Sequence, residues 1–330
     1  VRKLSYQQAA LEALQEEFRR DGKTLYMSEH VNEPLRQEFG EARVRETPIS
    51  ESAFVGAGVG LAGSGFRPVV DIGMATFGFV AMDQMVNQAA KITYMFGGQA
   101  KFPILYRMTV GTGLSMAAQH CISPYPMYMN APGLKIILPS TPYDMKGLMK
   151  AAIRDNNPVI SFEHMALGDT IGDVPEDEYV IPLGVADVKR DGADVTVVAL
   201  ARMVHIALDV ASELEEEGIS VEVIDPRTLE PLDRDTIRAS VAKTGRLVVV
   251  DEACQTCGAA AEIISLVVED GDTYEFLKAS PKRVCAPDVP VPFSPPMEQY
   301  VAPDKKKVVA AVRQVMGKKL KIGDVGSNTT

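Results

Sequence analysis

Apolar residues along this chain fall into two patterns, short unbroken runs and stretches with helical periodicity. Thr24–Met27, Arg67–Ile72, Pro103–Met108, Leu134–Leu138 and Val159–Phe162 read as buried strands. Leu4–Arg20 reads as an amphipathic helix that buries Ala9, Leu11, Leu14 and Phe18. Further helices lie near Phe77–Met95 and Tyr143–Arg154. Strands alternating with helices predict an α/β fold with a mostly parallel sheet covered on both faces. A proline- and acid-containing connector, about Asp173 to Asp194, leads to a second α/β unit with strands Val195–Leu200, Val221–Ile224 and Leu247–Val250. Its helix Met203–Glu217 places Val204, Leu208, Ala211 and Leu214 on one face and stops at Gly218; Asp233–Lys243 is the next helix.

One segment breaks the ordinary pattern. After Glu46, Thr47 and Pro48 end an extended run, Ser50 offers an N-cap, and Glu51 opens a stretch with no further charge until Arg67. A carboxylate at the mouth of so apolar a segment is costly unless something shares its proton, which makes Glu51 a candidate for acid/base chemistry. On the residues alone, a first-turn glutamate favourably placed on the helix dipole is the leading account. The same segment holds a literal G-x-G-x-x-G at Gly58, Gly60 and Gly63. A dinucleotide-binding fingerprint follows a strand and forms its turn into a helix, whereas these glycines fall inside the helical run. A small-residue face for close packing is the better reading.

Composition narrows the classes. The 330 residues suffice for two domains, and 46% hydrophobic with 24% charged residues is ordinary for a globular protein. A net charge of −10 argues against a nucleic-acid or anionic-membrane binder. The short basic runs Lys305–Lys307 and Lys318, Lys319, Lys321 read as solvated faces. No run approaches the ~18 apolar residues of a membrane span, and no signal-peptide pattern opens the chain, so a cytoplasmic protein is expected. Four cysteines, Cys121, Cys254, Cys257 and Cys285, suit a reducing compartment. Cys254 and Cys257 have redox or half-zinc-site spacing without a second pair nearby, and a packing role between strand and helix is expected.

Taken in order, several motifs resemble one family. They are Thr47–Glu51 with Phe54–Gly60, Asp83-Gln84 with Asn87–Lys91, Tyr94–Gly98, Ala118–His120, Pro132–Lys135, Ile153–Pro158 and Gly245–Glu252. From about Ser5 to about Val315 the chain resembles the β subunits of thiamine-diphosphate-dependent 2-oxo acid dehydrogenases, whose members serve the pyruvate, branched-chain and acetoin complexes. The Tyr94–Gly98 run is closest to the acetoin branch. The resemblance implies a transketolase-like pyrimidine-binding domain (residues 1–185), a smaller transketolase C-terminal α/β domain (186–322) and a disordered tail (323–330). It also implies a heterotetramer of two α and two β chains. The α chain would hold Mg²⁺ and the diphosphate of a shared thiamine diphosphate, and a lipoyl acyltransferase core would dock on the C-terminal domain.

The family's chemistry gives Glu51 a task. The cofactor's thiazolium carbon is deprotonated by the cofactor's own amino group, which becomes basic when a carboxylate bonds the pyrimidine ring nitrogen. Glu51 matches that carboxylate. Phe77 matches the aromatic residue stacked on the aminopyrimidine, although a core phenylalanine fits the pattern too. His120 matches the family's histidine for handling the acyl unit and passing it to lipoamide, against the alternative of a buried structural imidazole. Glu29 aligns with an acid assigned to proton relay between active sites. Ile104, Ala152, Ile153, Asp155 and Asn157 match a K⁺ site of some members; an ordinary helix C-cap is the competing account.

The chain also departs from the family. The loop between Glu29 and Glu51 is about ten residues shorter than usual, and in the family it lines the active-site region, leaving substrate choice and the role of Glu29 open. Cys121 replaces the usual serine after the histidine, and the expected Leu-Tyr is absent after His164. Two rival readings follow. One is a thiamine-dependent lyase or acyloin synthase without a lipoyl partner; the other is a non-catalytic scaffold subunit.

Overall fold

The computed structural model describes residues 1–317. The expected tail at 323–330 and the basic run at 318–321 lie outside the described residues. Among the described residues fourteen strands run in chain order. The first eight are β1 (Arg2–Ser5), β2 (Thr24–Ser28), β3 (Val44–Glu46), β4 (Arg67–Met74), β5 (Leu105–Val110), β6 (Lys135–Ile137), β7 (Val159–His164) and β8 (Ile171–Val174). The remainder are β9 (Asp187–Arg190), β10 (Val195–Ala199), β11 (Val221–Asp225), β12 (Thr228–Glu230), β13 (Leu247–Cys254) and β14 (Lys282–Ala286). Two compact units form. The first comprises Val1–Gly111, Met127–Leu183 and Thr228–Pro231; the second comprises Thr112–Pro126, Gly184–Arg227 and the chain from Leu232.

The first unit carries a seven-stranded sheet in the order β12-β6-β7-β5-β4-β2-β3. Every pairing in it is parallel except β12 with β6. Neighbouring residues of β4 show how both faces are covered. Val69 joins a buried cluster with Ala9, Leu14 and Phe18 of the helix Tyr6–Arg20 and Leu148 of the helix Pro142–Arg154. Val70 points the other way, to Gly58 of the helix Glu51–Gly63, where a Cβ would come within 2.8 Å of a Val70 methyl. Of the G-x-G-x-x-G run only Gly58 is buried against the strand; Gly60 is exposed with open space around it, and Gly63 ends the helix beside Phe102.

Two expectations shift for physical reasons. The first helix starts at Tyr6, not Leu4, because Ser5 caps it: Gln8 N–H donates to Ser5 Oγ (3.1 Å) and Ser5 N–H to Gln8 Oε1 (2.8 Å). Residues Arg2–Ser5 instead pair antiparallel with β8, which runs into the start of the span read as a connector. Leu11 is only half-buried, while Ala13 and Glu17 turn inward. The helix expected near Phe77–Met95 is three pieces: a 3₁₀ segment Ala75–Ala81, a wide π-helical stretch Asp83–Ala89 and an α-helix Ala90–Met95. Gly78 lies in the tight first piece, where a Cβ would press within 2.8 Å of the Tyr128 hydroxyl.

The second unit has a five-stranded sheet in the order β14-β13-β10-β11-β9, parallel except for β9. Val195, Val197, Val221, Val223, Val248 and Val250 share one buried cluster with Val204, Ala211 and Leu214 of the helix Met203–Glu215. Gly218 follows that helix at φ +74°.

Candidate active site

Parallel pairing puts the C-terminal ends of β2, β3, β4, β5 and β7 on one edge of the first sheet, the edge where open α/β sheets bind ligands. Glu29 follows β2 directly. Its side chain is 7% exposed, and its Oε2 is buried without a hydrogen-bond partner among the described residues. A buried carboxylate oxygen left unbonded is costly, and it marks a place where a donor belongs. Gly73, near the end of β4, adopts φ +76°, a conformation open to glycine. A Cβ there would lie 4.0 Å from Glu29 Oε1 and 3.8 Å from Phe77 Cδ2, so the acid and the aromatic ring meet at this turn.

A charged network braces the turn. Asp71 Oδ1 accepts from Gly73 N–H (3.1 Å), and its Oδ2 accepts from the Tyr26 hydroxyl (2.7 Å) and Arg107 Nη1 (3.0 Å). Arg107 also donates to both oxygens of Glu163, at 2.8 and 2.7 Å. Burial opposes the Arg107 charge, but Glu163 and Asp71 outweigh it and raise its pKa well above the ordinary value. Burial, then the Asp71 charge, pushes the Tyr26 phenol well up and keeps it a donor. These four residues were missed in the sequence. The available signal was charge inside strands otherwise apolar, with Asp71 and Arg107 directly opposite in register.

Glu51 is the first residue of its helix and is half-buried. Ser50 precedes it as N-cap by position, yet its side chain makes no capping bond. The Ser52 hydroxyl donates to the Val80 carbonyl, tying this first turn to the 3₁₀ segment that bears Phe77. Glu29, Glu51 and Phe77 therefore belong to one edge of one unit. A flat ring with an amino donor and a basic ring nitrogen fits this set: carboxyl groups at Glu51 and Glu29 that accept from N–H or share a proton with the ring nitrogen, and an aromatic face at Phe77.

His120 belongs to the second unit, on the short helix Ala118–Cys121, and is half-buried. Its segment is held by three carboxylates. Thr112 Oγ1 donates to Glu252 Oε1 (2.6 Å), Ser115 donates to Glu298, and the Tyr125 hydroxyl donates to Asp251. Burial raises the Asp251 pKa to about 6, against the lowering effect of the Tyr125 bond.

Ile104, Ala152, Ile153, Asp155 and Asn157 gather in the first unit around the end of the helix Pro142–Arg154. Arg67 Nη1 reaches the Ile153 carbonyl (3.0 Å) and the Asp155 carbonyl (2.8 Å). The Asp155 carboxylate accepts from Lys135 Nζ (2.5 Å) and from the Asn157 N–H (2.8 Å) and Nδ2 (2.9 Å). Burial would raise its pKa, but these partners outweigh it and hold the acid below the usual range. The donor set is all hard oxygen, with Lys135 already paired with the Asp155 carboxylate and Arg67 bonded to the Ile153 and Asp155 carbonyls. Cys254 closes β13 and all four cysteines are free thiols; burial raises the Cys254 pKa.

Comparisons with known proteins place the chain in a family. Residues 2–168 match the transketolase pyrimidine-binding domain and residues 184–308 the transketolase C-terminal domain. The chain is 47% identical to the acetoin:2,6-dichlorophenolindophenol oxidoreductase β subunit of Bacillus subtilis, over 87% of this chain and 83% of that protein. It is 44% identical to the protein of the same name from Cupriavidus necator, covering 96% and 98%. The pyruvate dehydrogenase E1 β subunit of Bacillus subtilis is 42% identical, covering 94% and 97%. Among solved structures, a split-gene transketolase described as an inactive β4 tetramer superposes with TM-score 0.79 at 22% identity, covering 96% of this chain and 99% of that one, which bears on the fold alone. The fold and the edge site define a transketolase-like chain. It belongs to the family of β subunits of thiamine-diphosphate-dependent 2-oxo acid and acetoin dehydrogenases.

Proposed function

We propose that the chain is the β subunit of an acetoin-cleaving dehydrogenase, acting with an α subunit in a tetramer of two α and two β chains. The observation that carries the reading is Glu51, a carboxylate opening an apolar helix on the ligand-binding edge of a parallel sheet, with Phe77 and Glu29 on that same edge. The higher identity to the acetoin proteins than to the pyruvate protein supports the acetoin branch over a 2-oxo acid.

When bound, thiamine diphosphate supplies the nucleophilic carbon and the electron sink for breaking a bond next to a carbonyl. Glu51 exchanges a proton with a ring nitrogen of the aminopyrimidine. Phe77 orients the ring by its flat face. Glu29, with an unbonded buried oxygen, accepts from a donor at the same edge. His120 holds or moves a proton at the carbonyl oxygen of the unit being transferred. In the overall reaction the bond between the two oxygenated carbons of acetoin breaks and acetaldehyde leaves. The remaining two-carbon unit is oxidised to an acetyl group as the disulfide of lipoamide takes up the electron pair. Mg²⁺ and the diphosphate are assigned to the α chain, and lipoamide to a carrier acyltransferase. A monovalent cation at Asp155 and Asn157 would be structural, and no step passes through it.

The test is turnover of the reconstituted α–β pair with 2,6-dichlorophenolindophenol as acceptor. Acetoin is expected to exceed pyruvate and 2-oxoisovalerate in kcat/KM by ~10-fold or more. A preference for either 2-oxo acid would reassign the branch. Adding lipoamide separates the dehydrogenase from a lyase: cleavage without acetyl transfer would favour the lyase.

A further inference from the structure

The turn bearing His120 is backbone-strained. Ser115 and Ala117 both take left-handed φ, at +53° and +65°, although neither is glycine. Such residues persist only where their surroundings over-determine them. The surrounding group is Glu298, only 3% exposed, on the helix Pro295–Val301 of the same unit. Ser115 N–H lies 3.2 and 3.1 Å from its two carboxylate oxygens, and Ser115 Oγ lies 3.2 Å from Oε2. Burial, and to a lesser degree the charge of Glu298, raises the pKa of the Cys121 thiol on the far side of His120. One buried group thus grips the turn at its Ser115 end. Glu252 holds its entry through Thr112.

We propose that Glu298 is a positioning residue for His120, its carboxylate locking the turn from Ser115 to Cys121 so that the imidazole is presented in one orientation. The inference rests on the assignment of His120 to acyl transfer.

The test compares two rates of the reconstituted α–β pair with acetoin, one with 2,6-dichlorophenolindophenol and one with free lipoamide, alongside the carbethoxylation rate of each histidine read by peptide mass spectrometry. Glu298→Gln is expected to lower the lipoamide rate ~10–100-fold while the dye rate stays within ~2-fold, since a displacement of about an ångström costs that much in an oriented transfer. The His120 modification rate should change ~3-fold or more, with His30, His164 and His205 unchanged. Adding Glu298→Gln to His120→Ala should cost nothing further, as expected of groups acting as one unit. Equal loss of both rates with unaltered His120 reactivity would overturn the proposal and leave Glu298 a fold residue. If His120→Ala itself leaves the lipoamide rate intact, the assignment of His120 fails, while its reactivity in Glu298→Gln still reports the positioning. Should Glu298→Gln not assemble, Ser115→Ala decides, because it removes the hydroxyl donor to Glu298. It should reproduce the selective fall in the lipoamide rate in part; a lipoamide rate equal to that of the parent pair would refute the clamp.

Discussion

At the residue scale, the chemistry-bearing side chains differ in how visible they are. Glu51 and His120 were legible as candidates because each stands in a local motif, and Phe77 was a candidate by its matching position alone. Glu298 was not, since its partner Ser115 lies 183 positions away and nothing near either residue announces the bond. Asp251 shows what such hidden placement does to titration. Fully enclosed, with Oδ2 unbonded, it has a pKa of about 6 instead of 3.8. A folded-state pKa above the unfolded one means stability that is complete below about pH 4 and lost as pH rises through about 6. Asp251→Asn, which can still accept from Tyr125 but never ionises, should remove this dependence. Relative to the parent, the variant should gain about 1–3 kcal/mol between roughly pH 4 and pH 7.5 in urea melts. A constant difference across that range would show that Asp251 titrates normally.

At the element scale, buried strands were readable because parallel sheets covered on both faces leave continuous apolar runs, as in β2, β7 and β13. Edge elements escaped. β3 is three residues long with Arg45 and Glu46 exposed, and β1 and β12 are short strands whose partners are distant in sequence. The helix pair Tyr6–Arg20 and Pro142–Arg154 hid its polar seam for the same reason: Lys146 and Lys150 are fully buried by virtue of Glu12, Glu16 and Glu178. The helix Glu51–Gly63 gives the sharpest prediction here. Gly58→Val places a branched side chain where a Cβ alone would stand 2.8 Å from Val70, so the helix must lift from β4. A loss of about 2–3 kcal/mol by urea denaturation is expected, with reduced activity because Glu51 opens the same helix. Unchanged stability would mean that the glycine run is not a packing face.

At the scale of the whole molecule, the architecture explains why the chain reads as one half of an enzyme. The first unit provides carboxylates and an aromatic face suited to an aminopyrimidine, and the second carries a braced histidine. The segment between Glu29 and Glu51 carries the helix Glu33–Phe39 and the edge strand β3. The central claim is that Glu51 activates the bound aminopyrimidine, and turnover of Glu51→Gln in the α–β pair with acetoin and 2,6-dichlorophenolindophenol tests it most directly. Glu51→Gln is expected to lower kcat ~100-fold or more with the melting temperature preserved, because the amide cannot exchange the proton. Turnover equal to that of the parent pair would contradict it and leave the chain a scaffold.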